Sequence, residues 1–295
     1  MKEPNKLKIW IEAMRLRTLP VSVAGVFVAG AYGLLSDAFS LTVFLLCILF
    51  AVLCQVASNF ANEYYDFLGG LDRPGRDGPR RGVTEGDISA RAMLAALVVT
   101  LVVAAGVGVA MVVMVQQWWL VAAGAAIFVG VWAYSAGPYP LSHHGLGEVA
   151  VVCFFGIVPV NITYYLMTLH FDPWVFLGSV AVGLMGANVL IVNNYRDRED
   201  DEAVGKHTMA VIFGRKAVST LYLFNGFIAT ALMTPVWLVL PAWTWAVPAL
   251  YLVAHTRLFW MLTERYGRRL NPLLGMTAVL MLALALGFFA VSLIV

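Results

Sequence analysis

The sequence predicts an all-α integral membrane protein, a bundle of about nine transmembrane helices, and three observations carry that prediction. Of its 295 residues, 61% are hydrophobic and 12% charged, with mean hydropathy +0.83; a soluble domain carries about 25% charge. Apolar stretches of about 20 residues recur, the length a helix needs to cross a ~30 Å hydrocarbon core with its backbone groups paired internally. The 19 Lys and Arg residues fall only in the N-terminus, the 2–3 and 6–7 loops, and the end of the eighth stretch with its following loop. The alternate loops carry Asp37 and Asp172 and no Lys or Arg.

The expected spans follow in order. The first, roughly 19–36, comes after a basic segment (Lys2, Lys6, Lys8, Arg15, Arg17) that lacks a short apolar core with a small-residue cleavage site. It is therefore expected to be a retained cytoplasmic segment. The second runs over 41–61. The third and fourth, 92–115 and 118–136, are joined by a tight turn at Gln116-Gln117. The fifth and sixth cover 148–169 and 174–194. The seventh and eighth, 218–240 and 242–262, turn at Pro241, and the ninth is 272–295. Nine spans with all basic residues on one side put the N-terminus in the cytoplasm and the C-terminus outside. Trp118, Trp119, Trp174, Trp243 and Trp245 then form an outer aromatic belt. Residues 1–295 are expected to form a single transmembrane domain. Cys47, Cys54 and Cys153 lie in apolar stretches without metal-ligand spacing and are expected to be buried thiols.

Two acidic segments end the second and sixth spans: Asn62-Glu-Tyr-Tyr-Asp66 with Asp72, and Asn193-Asn-Tyr-Arg-Asp197 with Asp201. Helical positions three and four apart share a face. Gln55, Asn59, Asn62 and Asp66 therefore form one polar stripe, and Asn193, Asn194, Asp197 and Asp201 a second. A solvated helix end explains one such stripe. It does not explain amides reaching back into an apolar span, where polar groups need partners. Hard oxygen ligands suit Mg²⁺, which takes one or two carboxylates and completes its shell with water and phosphate oxygens. Cations lie close by: the Gly- and Arg-rich stretch 69–81 holds Arg76, Arg80 and Arg81, and Arg196 and Lys206 flank the second segment. Guanidinium binds phosphate bidentately, and glycine lets backbone approach it. Topology or contact with anionic lipid accounts equally for Arg265, Arg268 and Arg269.

The two Asp-rich motifs resemble those of the UbiA superfamily of intramembrane prenyltransferases. Arg15-Leu-Arg-Thr18-Leu-Pro20, Tyr134 through Glu148 leading into Phe154-Phe-Gly156, and Asn193 through Thr208 extend the resemblance over nearly the whole chain. Together they look most like the branch that prenylates 1,4-dihydroxy-2-naphthoate in menaquinone synthesis. The resemblance implies a bundle with a cytoplasmic-side active-site cavity in a bacterial inner membrane. It implies catalysis and metal binding by Asn62, Asp66, Asp72, Asp197 and Asp201, with two Mg²⁺ ions. It also implies diphosphate binding by Arg76, Arg80, Arg81, Asn193, Asn194, Arg196 and Lys206. The implied partners are a polyprenyl diphosphate, 1,4-dihydroxy-2-naphthoate and membrane lipids, with no nucleic acid. The reaction would release CO₂ and diphosphate and give a demethylmenaquinone. Glu63 stands as a spare carboxylate, and His143-His144 is expected to be a surface pair. Tyr64, Tyr65, Tyr139 and Tyr195 are candidates to face a carbocation or to sit at the interface. Asn161, Thr163, Tyr164 and Tyr165 are expected to make interhelical hydrogen bonds, and His255 is a weak candidate for acceptor binding. Another acceptor (4-hydroxybenzoate, homogentisate, a haem or a lipid glycerol), a cation transporter and a metal-dependent scaffold remain alternatives.

Overall fold

The computed structural model describes residues 6–72 and 80–295 and contains only helices and connections there. In chain order the helices are α1 (Lys6–Met14), α2 (Leu19–Leu35), α3 (Leu41–Leu68), α4 (Ala90–Val115), α5 (Trp119–Ser135), α6 (Gly147–Val151), α7 (Val158–Thr168), α8 (Pro173–Ala203), α9 (Met209–Leu232), α10 (Thr234–Val239), α11 (Ala246–Glu264) and α12 (Asn271–Ile294). A π-helical turn, Val152–Ile157, joins α6 to α7 as one span. Seven helical stretches are long and apolar enough to cross a membrane, and Trp119–Ser135 is a shorter apolar one. With α11 these make the nine positions expected from the sequence.

Helix starts are set by local chemistry. Ser40, Ser89 and Asp172 cap α3, α4 and α8 by accepting hydrogen bonds from backbone amides of the first turn. Pro20, Pro173 and Pro272 occupy first-turn positions, where the missing N–H costs nothing. Two helices run further than hydropathy alone indicates. α3 continues to Leu68 rather than stopping at 61, and α8 continues to Ala203 rather than 194. Both extensions carry the acidic segments, so the carboxylates sit on rigid helix.

The core gathers α2, α8, α9, α11 and α12 around Trp237, Phe288 and Tyr222, all fully buried. The π-helical turn meets α8 at Gly156 and Gly183. A Cβ on Gly156 would stand 2.4 Å from Gly183 Cα, so the two backbones touch with no side chain between them. Small residues serve this close approach in membrane bundles, where lipid removes the hydrophobic drive for association. α4 behaves oppositely: Val98, Val99, Val102 and Val109 are exposed, as a lipid-facing helix requires.

The polar patch on α7 fulfils its expected role, since Asn161 donates to Ser179 Oγ on α8 at 2.9 Å. His255 does not face a cavity. Its Nε2 lies 3.1 Å from the Leu223 carbonyl, and its ring stacks between Tyr222 and Tyr251. It is a packing residue. Cys47 is buried, and Cys54 and Cys153 are half-buried; all three are free thiols.

Candidate active site

A cavity of about 500 Å³ lies between α2, α3, α5, the α6–α7 span and α8. One end is polar, lined by Arg15, Asn62, Asp66, Arg81, Asp197, Asp201 and Lys206. The remainder is apolar and reaches Met111, Val112, Leu120 and Leu166. Those four residues belong to the end of α4, the start of α5 and the far end of α7, so the cavity runs through the bundle.

The first cluster is centred on Asp66, which is 1% exposed. Its Oδ2 accepts from Lys206 Nζ at 3.0 Å and from Asn62 Nδ2 at 3.3 Å, with Arg81 Nη2 at 3.5 Å. His143 Nε2 stands 3.5 Å from Oδ1. Asn62 Oδ1 in turn accepts from Arg15 and Arg81, each at 2.9 Å. Arg81 Nε lies 3.1 Å from Asp72 Oδ2. Deeper on the same stripe, Gln55 and Asn59 reach Thr18, and Asn59 also donates to the Met14 carbonyl at 2.8 Å. These two amides fasten the corner between α1 and α2 and leave the chemistry to the end of the stripe.

The second cluster is built on α8. Asp197 accepts from Arg196 through both oxygens, at 2.6 and 2.7 Å. Arg196 also donates to Asn193 Oδ1 at 2.8 Å and to Asn271 Oδ1 at 3.0 Å, which ties α8 to the start of α12. Asn194 donates to Glu148 Oε1 at 2.8 Å. The loop after α8 folds back, with Lys206 N donating to the Asp201 carbonyl and His207 N to the His143 carbonyl, each at 2.9 Å. That return carries Lys206 across to Asp66 and joins the two clusters.

Of the residues expected from sequence, Asn62, Asp66, Asp197, Asp201, Asn193, Asn194, Arg81 and Lys206 line this one cavity. Asp72 reaches the group through Arg81. Arg196 lies behind Asp197, as its charge partner. Arg80 turns away: half-exposed, it is engaged by Asp87 through Nε at 2.9 Å and Nη2 at 2.6 Å, an arrangement that holds its guanidinium pKa above the ordinary value. Arg76 lies outside the described residues.

Three expectations need correction. His143 is not part of a surface pair, because the α5–α6 loop turns its ring inward to Asp66; only His144 matches that picture, stacked on exposed Tyr139 at 3.7 Å. Glu63 is not spare: wholly buried, its Oε1 accepts from Val83 N at 3.0 Å and anchors the loop that bears Arg81. None of Tyr64, Tyr65, Tyr139 and Tyr195 lines the cavity. Tyr195 lies under Arg215, 5.2 Å from guanidinium carbon to ring centroid. The tyrosine in the cavity is Tyr134, within electrostatic reach of Glu148, Asp66 and Asp201. Its place at the polar end of an apolar helix was the available signal.

Several buried polar atoms here have no hydrogen-bond partner among the described residues: Asp66 Oδ1, Arg81 Nη1, Ser142 Oγ, His143 Nε2, Glu148 Oε2 and Thr208 Oγ1. All six belong to residues of the cavity or, for His143, to its rim. Unpaired buried donors and acceptors are rare, and such a concentration marks a place where a polar ligand binds.

The model of the UbiA prenyltransferase family matches residues 19–273. The chain belongs to that family. Among UbiA-family relatives, the 1,4-dihydroxy-2-naphthoate octaprenyltransferase of Mycobacterium tuberculosis is 34% identical, covering 94% of this chain and 94% of the relative. The enzyme of the same name from Haemophilus influenzae is 36% identical over 71% of this chain and 70% of its own length. The fold matches a UbiA homolog from Archaeoglobus fulgidus bound to DMAPP and Mg²⁺, with TM-score 0.70, 16% identity and coverage of 97% and 99% of the two chains. The UbiA fold therefore extends across essentially all of the chain.

Proposed function

We propose that this chain transfers a polyprenyl group from an allylic diphosphate to 1,4-dihydroxy-2-naphthoate, releasing diphosphate and CO₂ and giving a demethylmenaquinol, the hydroquinone form of a demethylmenaquinone. The observation that carries the proposal is the polarity of this cavity. An acid- and cation-lined end suits a diphosphate, and it continues into an apolar passage that suits an isoprenoid tail. Relatives named for this naphthoate substrate, at 34–36% identity, support the acceptor assignment.

The donor set fits Mg²⁺. Asn62, Asp66, Asp72, Asp197 and Asp201 offer hard oxygens, and Asp66 Oδ1 is buried without a hydrogen-bond partner. Among the described residues no three acidic, His or Cys side chains form a metal cage by themselves. That suits a cation that keeps water and substrate phosphate in its shell. In the proposed assignment these five residues hold two ions; a UbiA homolog from Archaeoglobus fulgidus described as bound to GPP and Mg²⁺ supports the choice of metal. Bound Mg²⁺ would supply Lewis-acid activation of the leaving group and neutralise its charge.

The protein's own groups do the rest. Arg81, Lys206 and Arg15 present cations where diphosphate charge develops as the allylic C–O bond breaks. Arg196 holds Asp197 in place through both carboxylate oxygens, and Asn193 and Asn194 set the face of α8. The apolar walls exclude water, so the allylic cation meets the ring carbon that bears the carboxylate. The new C–C bond takes its electron pair from the ring, and loss of CO₂ returns a pair to it. In the proposed orientation the polar end faces the cytoplasm across a bacterial inner membrane, with the N-terminus inside and the C-terminus outside. Residues 1–295 act as one transmembrane domain.

The test supplies purified protein with an allylic polyprenyl diphosphate, Mg²⁺ and a panel of aromatic acids, following product mass and CO₂ release. The naphthoate should give the prenylated, decarboxylated product; EDTA should stop turnover and Mg²⁺ restore it. Product from another acid alone would replace the acceptor, and EDTA-insensitive transfer would remove the metal from the mechanism.

A further inference from the structure

One buried acid in the cavity takes no part in the ion pairs of the diphosphate end. Glu148 opens α6, is 5% exposed and lines the cavity. Its Oε1 accepts from Asn194 at 2.8 Å, while Oε2 is buried with no hydrogen-bond partner among the described residues. Leaving such an oxygen unpaired costs about 1–3 kcal/mol, more for a charged group, so a donor belongs beside it.

The surroundings define that donor. Gly147 brings bare backbone against the wall: a Cβ there would stand 3.0 Å from Leu190 Cδ2 and 3.7 Å from the Tyr134 hydroxyl. Val151 and Phe154 line the cavity one and two turns further on. Gly130 accommodates the Phe154 ring, since a Cβ would come within 2.4 Å of it. A carboxyl oxygen set among flat apolar walls has nothing to pair with on an isoprenoid tail, and the diphosphate has the cations of the other end of the cavity. A hydroxyl on an aromatic ring fits both the walls and the oxygen.

We infer that Glu148 Oε2 accepts a hydrogen bond from a ring hydroxyl of the aromatic acceptor, with Asn194 holding the carboxylate in place. This assignment rests on the prenyl-transfer function proposed above. Glu148 is thus a binding residue that orients the ring toward the diphosphate end.

The experiment measures initial rates of the full-length protein against both substrates, for wild type, Glu148→Ala and the equal-sized Glu148→Gln. The hydroxyl preference is read separately as inhibition of prenyl transfer by 2-naphthoate, which lacks both ring hydroxyls, compared with 1-hydroxy- and 4-hydroxy-2-naphthoate. Loss of a hydrogen bond to a charged group, about 1.5–3 kcal/mol, corresponds to a roughly 10- to 150-fold rise in acceptor KM for Glu148→Ala. The KM for prenyl diphosphate should stay within about twofold, a departure taken as the limit for an indirect effect. One of the hydroxynaphthoates should outcompete 2-naphthoate about tenfold or more on wild type and lose most of that advantage in both variants. An unchanged acceptor KM, a parallel rise for both substrates, or an intact hydroxyl preference overturns the inference. Should Glu148→Ala fail to fold, the inhibitor comparison on Glu148→Gln decides alone. A wild-type protein that does not prenylate the naphthoate at all would overturn the proposed function and this inference together. Normal turnover with variants that keep the hydroxyl preference would overturn the inference only.

Discussion

Lys206→Met separates the cation's work on substrate from its work on the fold. Lys206 Nζ stands 3.0 Å from Asp66 Oδ2, and its side chain is 12% exposed, so the charge is mostly shielded from water. At an effective dielectric of 20, a pair at that distance attracts by roughly 5 kcal/mol before desolvation is deducted. Removing one member of a buried pair ordinarily destabilises by about 3–5 kcal/mol. Here Asp66 keeps Arg81 at 3.5 Å and the Asn62 amide at 3.3 Å. The expected loss of stability is therefore below that range, about 1–2 kcal/mol, comparable with one hydrogen bond to a charged group. Arg81 and Arg15 remain for the diphosphate, but neither replaces the hydrogen bond that Lys206 itself would donate. Loss of one charge-assisted hydrogen bond, about 1.5–3 kcal/mol, lowers kcat/KM for the prenyl diphosphate roughly 10- to 150-fold. The assay is initial rate against prenyl diphosphate at saturating acceptor, with Lys206→Arg as the charge-retaining control and detergent-phase thermal unfolding as the check on fold. A Lys206→Met protein with kcat/KM for the diphosphate within about twofold of wild type would refute the assignment.

Arg81→Ala should weaken prenyl diphosphate use by at least the same factor as Lys206→Met, because it also removes a donor from Asn62 and a cation from beside Asp72. Arg80→Ala, which breaks a solvent-screened pair with Asp87, should leave kinetics unchanged. Equal effects of the two in steady-state assays would mean the loop is oriented differently. His143→Ala should cost roughly 2- to 12-fold in kcat/KM, the value of an ordinary hydrogen bond, while His144→Ala costs nothing measurable. The reverse order in a side-by-side rate comparison would send the α5–α6 loop's contact to the other histidine. Gly156→Ala forces a Cβ to 2.4 Å from Gly183 Cα, a backbone clash no rotamer can relieve, and should destabilise by about 1–3 kcal/mol or more. A wild-type melting temperature in that variant would show that the π-helical turn and α8 do not touch.

The span positions were legible because apolar length is a direct demand of the bilayer. Their ends were less so. Hydropathy falls at Asn62 and Asn194, but the helices continue because the polar residues face a cavity and not a loop. The acids were legible from their three- and four-residue spacing, which is itself helical. Their partners were not: Lys206 meets Asp66, and His143 joins them, only after the chain folds back between α8 and α9. Adjacent Arg80 and Arg81 look equivalent in sequence, yet the backbone anchored by Glu63 sends one outward to Asp87 and the other inward to Asp66. No local signal distinguishes two neighbouring side chains whose directions a distant residue decides.

The contact between Gly156 and Gly183 also fixes which wall of the cavity can give way. Where two backbones touch, no side chain can swing aside, and the α8 side is inextensible. Opposite it stand α4, whose apolar window is 17% buried, and α5, which makes sparse contact with α4 and the start of α6. Any widening needed for a longer or bulkier tail falls to that outer wall, against fluid lipid. The bundle can thus yield on one flank only, the flank that faces lipid, and under the proposed function that is where a bulkier apolar tail would be accommodated.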